Sequence, residues 1–319
     1  MLWIIWFLLV MAGVMFLISG VCFLMAFYAS KTMHESKEEY PIPPGEIYEP
    51  YREVMVQWMK EVRAMEPQTM SIVSSDGLRL YGSYYEYAPG APIELMFHGY
   101  RGNAERDLCG GVQRCFALGR SAFLVDQRTS GRSDGHVISF GINEHRDCLQ
   151  WVDFMVAYFG ENVKIILTGI SMGAATVLMA AGEPLPKQVV GVLADCGYTT
   201  AKEMICKTIG EMHLPPALLY PFVKLGAKLF GKFDLEANSP LQAVRRCRVP
   251  VIFFHGEQDQ FVPCEMSARN YEACPAPKAL ITIPGAGHGL SYPEAPERYL
   301  RAMSEFFTAN GVPTQIVQK

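Results

Sequence analysis

The stretch that decides the fold is VKIILTGISMGAATVLMA, residues 163–180. Its first half is a run of apolar and β-branched residues that predicts a buried strand, and its second half has the small residues and length of a helix. Between them stands the pentapeptide GISMG, a G-x-S-x-G pattern. In a strand–turn–helix context, this pattern places the serine at the apex of a strained turn. The sequence therefore predicts Ser171 as a nucleophile, with Gly169 and Gly173 required because side chains there would crowd the turn.

Strands and helices alternate on both sides of this stretch. Residues 70–87 alternate around an Asp-Gly turn and predict a hairpin. Further strands are predicted at 92–97, 122–125, 163–168, 189–194, 251–254 and 279–283, and helices at 103–118, 143–159, 172–181 and 294–310. Most of these strands are continuously apolar, which is typical of a parallel sheet covered by helices on both faces. The predicted fold class is α/β, with a mostly parallel, eight-stranded sheet.

A nucleophilic serine needs a general base, and the base needs an orienting acid. Asp259 lies in HGEQDQFVP, just beyond the predicted strand 251–254, and His288 lies in PGAGHGLSY after strand 279–283. Both positions are loops at strand ends, and both follow Ser171 in the order serine, acid, histidine. Asp195, at the end of strand 189–194, is the alternative acid.

Five landmarks carry a family resemblance. They are HGYRGN (98–103), DQRTSGRS (126–133), GISMG (169–173), HGEQD (255–259) and GHG (287–289). With these, residues 67–312 resemble the serine hydrolases of the α/β-hydrolase superfamily and are similar to its membrane-anchored bacterial members. The resemblance implies an oxyanion hole made by the backbone N–H groups of Met172 and Tyr100. Thr129 stands where the family commonly has glycine, and we expect a local backbone difference there.

The N-terminus predicts a membrane anchor. Residues 2–30 contain no charged side chain, and about 20 apolar residues suffice to span a bilayer. A cleaved signal peptide is the alternative, but no Lys or Arg precedes the apolar run and the run is long for that role. Lys31 and Lys37 follow it and favour a cytoplasmic catalytic domain in a single-pass protein of the cell membrane.

The chain then divides into a transmembrane anchor (1–30), a linker and docking helix (31–66) and a hydrolase domain (67–319). Residues 198–247 lack strand patterns and form an insert after strand 189–194. Their apolar, proline-broken stretch 212–230 predicts two short helices. Ligands of open α/β sheets bind at the carboxyl ends of the strands, so we expect this insert to be a lid with its apolar side towards an acyl or aryl group. The alternative is an ordinary packed helical pair.

The composition limits the classes of partner and cofactor that we expect. The net charge is −4 without a basic block, which gives no indication of a nucleic-acid partner. The nine cysteines have no disulfide or zinc spacing, and we expect buried, reduced thiols. The acidic residues Glu257, Asp259 and Glu265 together with His288 fit no standard metal-ligand set. We therefore expect neither a metal nor another cofactor.

The function predicted from these residues is hydrolysis of an acyl or aryl ester, with a small or lipid-like substrate, by a carboxylesterase or lipase-like serine hydrolase. Amidase, peptidase and thioesterase activities share the same triad chemistry and remain alternatives. A non-catalytic, membrane-tethered scaffold is the alternative from another class. Such degenerate relatives usually lose the serine or the histidine, and this chain keeps both Ser171 and His288.

Overall fold

The computed structural model describes residues 2–30 and 38–312. Lys31 and Lys37, on which the predicted orientation rests, lie outside these residues. One sheet of eight strands has the order β1-β2-β4-β3-β5-β6-β7-β8. In chain order the strands are β1 (Gln68–Val73), β2 (Arg79–Tyr85), β3 (Ile93–Phe97), β4 (Ser121–Asp126), β5 (Ile165–Ile170), β6 (Val189–Asp195), β7 (Val251–Gly256) and β8 (Lys278–Ile283). The pairs β1/β2 and β2/β4 are antiparallel and the other pairs are parallel, so the predicted mostly parallel sheet is confirmed.

Helices precede, cover and connect these strands. They are α1 (Leu2–Ala26), α2 (Arg52–Arg63), α3 (Ala104–Asp107), α4 (Gly111–Ala117), α5 (Glu144–Phe159), α6 (Met172–Ala181), α7 (Ala201–Glu211), α8 (Pro216–Leu229), α9 (Pro240–Val244), α10 (Cys264–Ala273), α11 (Ser291–Glu294) and α12 (Pro296–Ala309), with a 3-10 helix at Glu46–Tyr51. The predicted single helix 103–118 is two helices, α3 and α4, and at their junction Gly110 and Gly111 pass too close to Trp58 and Met96 for a side chain.

Both faces of the sheet are buried, as the continuous apolar strands predict. In β7, Phe253 joins a core with Trp151 of α5 and Val177 of α6 on one face. The next residue, Phe254, joins a second core with Tyr299 of α12 on the other face. Successive strand residues point to opposite faces, so each strand supplies both cores.

A buried charge cluster interrupts the apolar strand β3. Glu94 is fully buried and accepts hydrogen bonds at 2.7 Å from both Arg114 and Arg120. Thr168 of β5 donates a further hydrogen bond to the same carboxylate at 3.1 Å. Burial raises the pKa of Glu94, but the two guanidinium groups outweigh it and hold this pKa below its usual value.

The insert after β6 contains the helices α7 to α9, and its stretch 212–230 forms the single helix α8 where the sequence predicts two short helices. Its apolar side packs against the second half of α1, where Phe230 contacts the rings of Phe16 and Phe23. Gly226 of α8 lies so close to the carbonyl oxygen of Ser19 that a Cβ would overlap it. One apolar side of the insert is therefore covered by the N-terminal helix, which differs from its predicted role as a substrate-facing lid.

Thr129 has φ +75°, in the left-handed region that glycine favours. The expected local backbone difference at this position is therefore not what the structure shows. The backbone keeps the conformation that suits glycine, and the threonine side chain is accommodated there in a fully buried position.

Candidate active site

Ser171 lies between β5 and α6 in a strained turn. Its backbone has φ 55° and ψ −117°, a conformation that is costly for a residue with a side chain. A Cβ on Gly169 would overlap the carbonyl group of Gly173, and a Cβ on Gly173 would overlap the carbonyl group of Phe97 at the end of β3. The turn is therefore possible only with glycine at these two positions, as the sequence predicts.

The three residues proposed from the motif order lie within hydrogen-bonding distance of each other. His288 Nε2 is 2.9 Å from Ser171 Oγ, and His288 Nδ1 is 2.7 Å from Asp259 Oδ2. An ionised carboxylate can only accept, so Nδ1–H donates to Asp259, which leaves Nε2 free to accept the serine proton. The residues come from the ends of β5, β7 and β8, which align at one edge of the sheet.

Asp259 accepts hydrogen bonds from other groups besides His288. Its Oδ1 accepts backbone N–H bonds from Phe261 at 2.9 Å and Val262 at 2.8 Å. His255 Nε2 lies 3.2 Å from Asp259 Oδ2 and donates to Val262 O at 2.8 Å. Burial raises the pKa of Asp259, but hydrogen bonds from His255 and His288 outweigh it and lower this pKa to about 2. The carboxylate is therefore ionised throughout the neutral range.

Asp195, the alternative acid, has other partners. Ser291 Oγ donates to Asp195 Oδ1 at 2.9 Å, and Tyr299 Oη donates to Oδ2 at 3.0 Å. Burial raises its pKa. The geometry therefore favours Asp259 as the partner of His288 and leaves Asp195 as a buried link between β6 and the C-terminal helices.

Two backbone N–H groups stand beside the serine. Met172 is the first residue of α6, and the first intrahelical bond of this helix is donated by Ala175 N to Ser171 O, so Met172 N–H has no helical acceptor. The loop after β3 passes next to the serine, since a Cβ on Gly99 would lie 4.0 Å from Ser171 Oγ. Tyr100 N–H, in the same loop, has no protein acceptor among the described residues.

A cavity of about 490 Å³ opens from Ser171 and His288. Much of its wall comes from the segment that the sequence assigns to the linker and docking helix, namely Pro43, Pro44, Gly45, Ile47, Tyr48, Met55 and Trp58. Further apolar lining comes from Met96, Leu108, Cys109, Phe261 and Tyr292. Among the described residues that line this cavity, none belongs to the insert 198–247. The cover over the candidate site is therefore the N-terminal segment 43–58, and no pattern in the sequence identified it.

Tyr48 and Phe261 line the cavity, and Phe261 lies against His288. The ring of Phe261 packs edge-on against the imidazole of His288, with 5.1 Å between the ring centroids. Burial raises the pKa of Tyr48, and the charges of neighbouring groups, which include Asp107 and Asp259, raise it further. Its phenol is therefore protonated and can donate a hydrogen bond inside the cavity.

Cys196 brings a third potential metal ligand close to the triad. The ligand atoms of Cys196, Asp259 and His288 lie within 4.8 Å of one another. Burial raises the pKa of the Cys196 thiol well above its usual value, which disfavours the thiolate that zinc requires. The hydrogen bonds of the triad already account for the placement of the other two residues.

Two other motif residues, His98 and Arg128, have structural contacts. His98 Nδ1–H donates to Gly99 O at 2.8 Å, and its Nε2 accepts from Gln127 N. Arg128 forms a bidentate, buried pair with Asp147 and a further bond to Asp76. These contacts order the loops after β3 and β4 beneath the site.

A serine on a strained β5–α6 turn, with an acid and a histidine following at the ends of β7 and β8, defines the class of α/β hydrolases. The profile of the alpha/beta hydrolase family matches residues 95–302, which is more than half of the chain. The chain therefore belongs to the alpha/beta hydrolase family.

Its relatives are distant. The uncharacterized protein YqkD of Bacillus subtilis is 30% identical over 190 residues, which cover 59% of this chain and 62% of that protein. Protein bem46 of Schizosaccharomyces pombe is 23% identical, over 90% of this chain and 86% of that protein. Among solved structures, the esterase Pf2001 of Pyrococcus furiosus superimposes with a TM-score of 0.64 at 20% identity, covering 84% of this chain and 98% of that one. At this identity the likeness shows the shared fold.

Proposed function

We propose that this protein is a serine esterase that cleaves carboxylic esters through an acyl-enzyme intermediate. The observation that carries the proposal is the continuous hydrogen-bond chain from Ser171 Oγ through His288 to Asp259, with distances of 2.9 Å and 2.7 Å. The esterase among its structural neighbours supports the choice of ester chemistry.

In the first step, Ser171 Oγ attacks the ester carbonyl carbon while His288 Nε2 takes the hydroxyl proton. The tetrahedral oxyanion accepts hydrogen bonds from the N–H groups of Met172 and Tyr100. His288 then protonates the leaving alkoxide or phenoxide, and the acyl-enzyme remains. In the second step, water loses a proton to His288 and attacks the acyl carbonyl, which releases the acid and restores Ser171. Asp259 stabilises the imidazolium in both steps.

The cavity supports acyl or aryl esters of modest size as substrates. A volume of about 490 Å³ lies within the range of small-molecule sites, and its lining is rich in apolar and aromatic side chains. Amides and thioesters pass through the same tetrahedral intermediate and are the second candidates. The intact chain of Ser171, His288 and Asp259 favours catalysis over a scaffold role.

We further propose that α1 is a single-pass membrane anchor. It is a helix of 25 residues that contains an 18-residue stretch with a mean hydropathy of 2.6, long and apolar enough to span a bilayer. The side of the membrane on which the hydrolase domain lies is proposed to be cytoplasmic, from the two lysines after the helix.

A fluorophosphonate probe tests the nucleophile directly, because it forms a covalent adduct with an activated serine. The full-length protein in detergent is expected to be labelled, and Ser171→Ala and His288→Ala are expected to lose the label together with p-nitrophenyl ester hydrolysis. Ser121→Ala is the matched control, since this buried serine accepts a hydrogen bond from Tyr87 N at the start of β4, at the opposite end of the sheet from the candidate site. Labelling that persists in Ser171→Ala would sink the assignment. A panel of acyl-chain lengths then measures how far the cavity extends.

A further inference from the structure

The end of the N-terminal helix contacts the loop that carries the proposed oxyanion donor. Tyr100 Oη donates a hydrogen bond to Ala26 O at 2.8 Å, and Arg101 Nη2 donates to Met25 O at 2.8 Å. Arg101 also donates to Tyr28 O at 3.2 Å. The last carbonyl groups of a helix lack intrahelical partners and form the negative end of its dipole, so hydroxyl and guanidinium donors stabilise them.

The same loop is held from its other side by Asp107 of α3. Gly99 N–H donates to Asp107 Oδ2 at 3.0 Å, and a Cβ on Gly102 would overlap that carboxylate. Between these glycines, Arg101 has φ +53°, a region in which a residue with a side chain persists only when its surroundings fix it. The loop conformation therefore depends on two clamps, one of which is the end of α1.

The end of α1 is itself fixed to the hydrolase domain. Ala29 N–H donates to His136 O at 3.0 Å, and Ile138 N–H donates to Phe27 O at 2.8 Å. The ring of Phe140 packs against the rings of Phe27 and Tyr100, with centroid distances of 5.8 Å and 5.1 Å. The helix end, the loop around residue 138 and the oxyanion loop thus form one packed unit.

We propose that Tyr100 and Arg101 are positioning residues that use the carbonyl end of the N-terminal helix to hold the oxyanion loop in its catalytic geometry. The proposal rests on the esterase function proposed above. On this proposal, α1 is a structural part of the active site as well as an anchor. The site is complete only when the end of this helix is folded and packed against the hydrolase domain.

The expected signature is kinetic. The oxyanion exists only in the transition state and the tetrahedral intermediate, so a displaced Tyr100 N–H lowers kcat while KM changes little. Removing an oxyanion donor altogether costs about 10²–10³ in kcat, and displacing one is expected to cost about 10- to 100-fold.

The experiment uses the full-length protein in detergent with a water-soluble p-nitrophenyl ester. Tyr100→Phe removes only the hydroxyl, and Arg101→Met keeps the length of the side chain but not its donors. Both are expected to lower kcat by about 10- to 100-fold, and Arg101→Lys is expected to recover part of the loss because its ammonium can still donate to a carbonyl. The affinity for a trifluoromethyl ketone, whose adduct carries the oxyanion, is expected to fall in parallel with kcat.

Two matched controls remove hydrogen bonds outside the packed unit that holds the oxyanion loop. Tyr84→Phe removes a hydroxyl bond to Ser121 Oγ at 3.4 Å, and Arg246→Met removes a guanidinium bond to Gly182 O at 3.1 Å. Both are expected to keep kcat within about twofold of the wild type. An unchanged kcat in Tyr100→Phe and Arg101→Met, or an equal fall in the controls, overturns the positioning role. A wild-type protein with neither hydrolysis nor fluorophosphonate labelling instead overturns the esterase function, and this proposal with it.

Discussion

Asp259 and Asp195 both follow strands at the same edge of the sheet, and their hydrogen-bond partners distinguish them. Asp259 accepts from His288, from His255 and from two backbone N–H groups. The carboxylate of Asp195 accepts from two hydroxyl groups instead, and Asp195 contacts the serine–histidine pair only through its backbone carbonyl, which accepts from Ser171 N at 2.9 Å. A carboxylate that orients a catalytic imidazole must stay ionised, and the pKa of about 2 at Asp259 meets this requirement.

Asn substitutions separate the two carboxylates. Asp259→Asn is expected to lower kcat by about 10³- to 10⁴-fold, because the amide no longer enforces the Nδ1–H tautomer of His288. Asp195→Asn loses one of its two accepted bonds and is expected to lower kcat less than about 10-fold while reducing the unfolding temperature. Steady-state ester hydrolysis and thermal unfolding of both variants provide the measurement. The opposite ranking of the two kcat values would transfer the orienting role to Asp195.

The residues of the candidate triad could be predicted from the sequence because each has a local signature. A glycine-flanked serine, an HGxxD segment and a GHG segment follow predicted strands in a fixed order. The contact of His255 with Asp259 has no part in these signatures, although the position of His255 four residues before Asp259 could have indicated it. Tyr48 has no such signal, since a tyrosine in a proline-bearing segment carries no local indication of the cavity that it reaches.

Among the elements, β3 shows how an apolar pattern can conceal a charge cluster. PIELMF reads as an apolar strand, and the strand is confirmed as Ile93–Phe97. Its Glu94 nevertheless binds two arginines that lie 20 and 26 residues further along the chain. Strands depend on local apolar runs and were therefore predictable, whereas a buried ion cluster depends on contacts between distant elements and was not.

The cluster gives a stability prediction. Glu94→Gln keeps the shape of the side chain but leaves Arg114 and Arg120 buried without their shared carboxylate. The free energy of unfolding is expected to fall by about 3–5 kcal/mol, as when one partner of a buried ion pair is removed. Denaturant unfolding of the full-length protein in detergent, followed by tryptophan fluorescence, gives this value.

Glu183→Gln is the matched control for this substitution. It removes the carboxylate of a partly exposed pair with Arg246 at 3.3 Å, and the expected loss is about 0–1 kcal/mol because water screens the pair. A loss at Glu94 no larger than the loss at Glu183 would show that the buried charges are compensated in some other way.

The element that covers the candidate site is not the one that the sequence predicted. The rule that ligands bind at the carboxyl ends of strands correctly located the cavity, and an apolar insert after β6 was the obvious candidate to cover it. The insert instead presents its apolar residues to α1, and segment 43–58 covers the cavity. Which of two apolar elements packs on which surface is a question of tertiary fit, and neither periodicity nor composition decides it.

For the whole molecule, the proposed anchor and the packing of α1 on the insert together predict how deep the domain lies at a bilayer. Residues 2–15 of α1, about 21 Å of helix, precede its first ring contact with the insert, at Phe230 just after α8, and the hydrocarbon core is about 30 Å thick. The outward side of the second half of α1 stays apolar, with Leu17 68% exposed and Val21 and Leu24 also exposed. On the proposed anchoring, we therefore expect the bilayer to reach along this half, beside α8.

The outer surface of α8 fits this location. Leu218 is 62% exposed and Leu229 is 47% exposed, and both lie on the opposite side from the buried Val223 and Ala227. The exposed Lys228 on the same helix can extend its ammonium group to the headgroups while its stem stays among apolar atoms. A helix that is apolar on both its packed and its open side is expected where lipid replaces water.

Tryptophan quenching by brominated lipids measures this depth. In the full-length protein with Trp3 and Trp6 replaced by Phe, a Leu218→Trp variant in vesicles of brominated phosphatidylcholine is expected to lose a large part of its added fluorescence. Tyr158→Trp is the matched control. Tyr158 is 51% exposed and lies near the end of α5, which leads into β5 at the end of the sheet opposite to the candidate site. Its fluorescence is expected to be unaffected by the bromines. Equal quenching at the two positions, or none at Leu218, would mean that the insert stays in water and that the bilayer ends before α8.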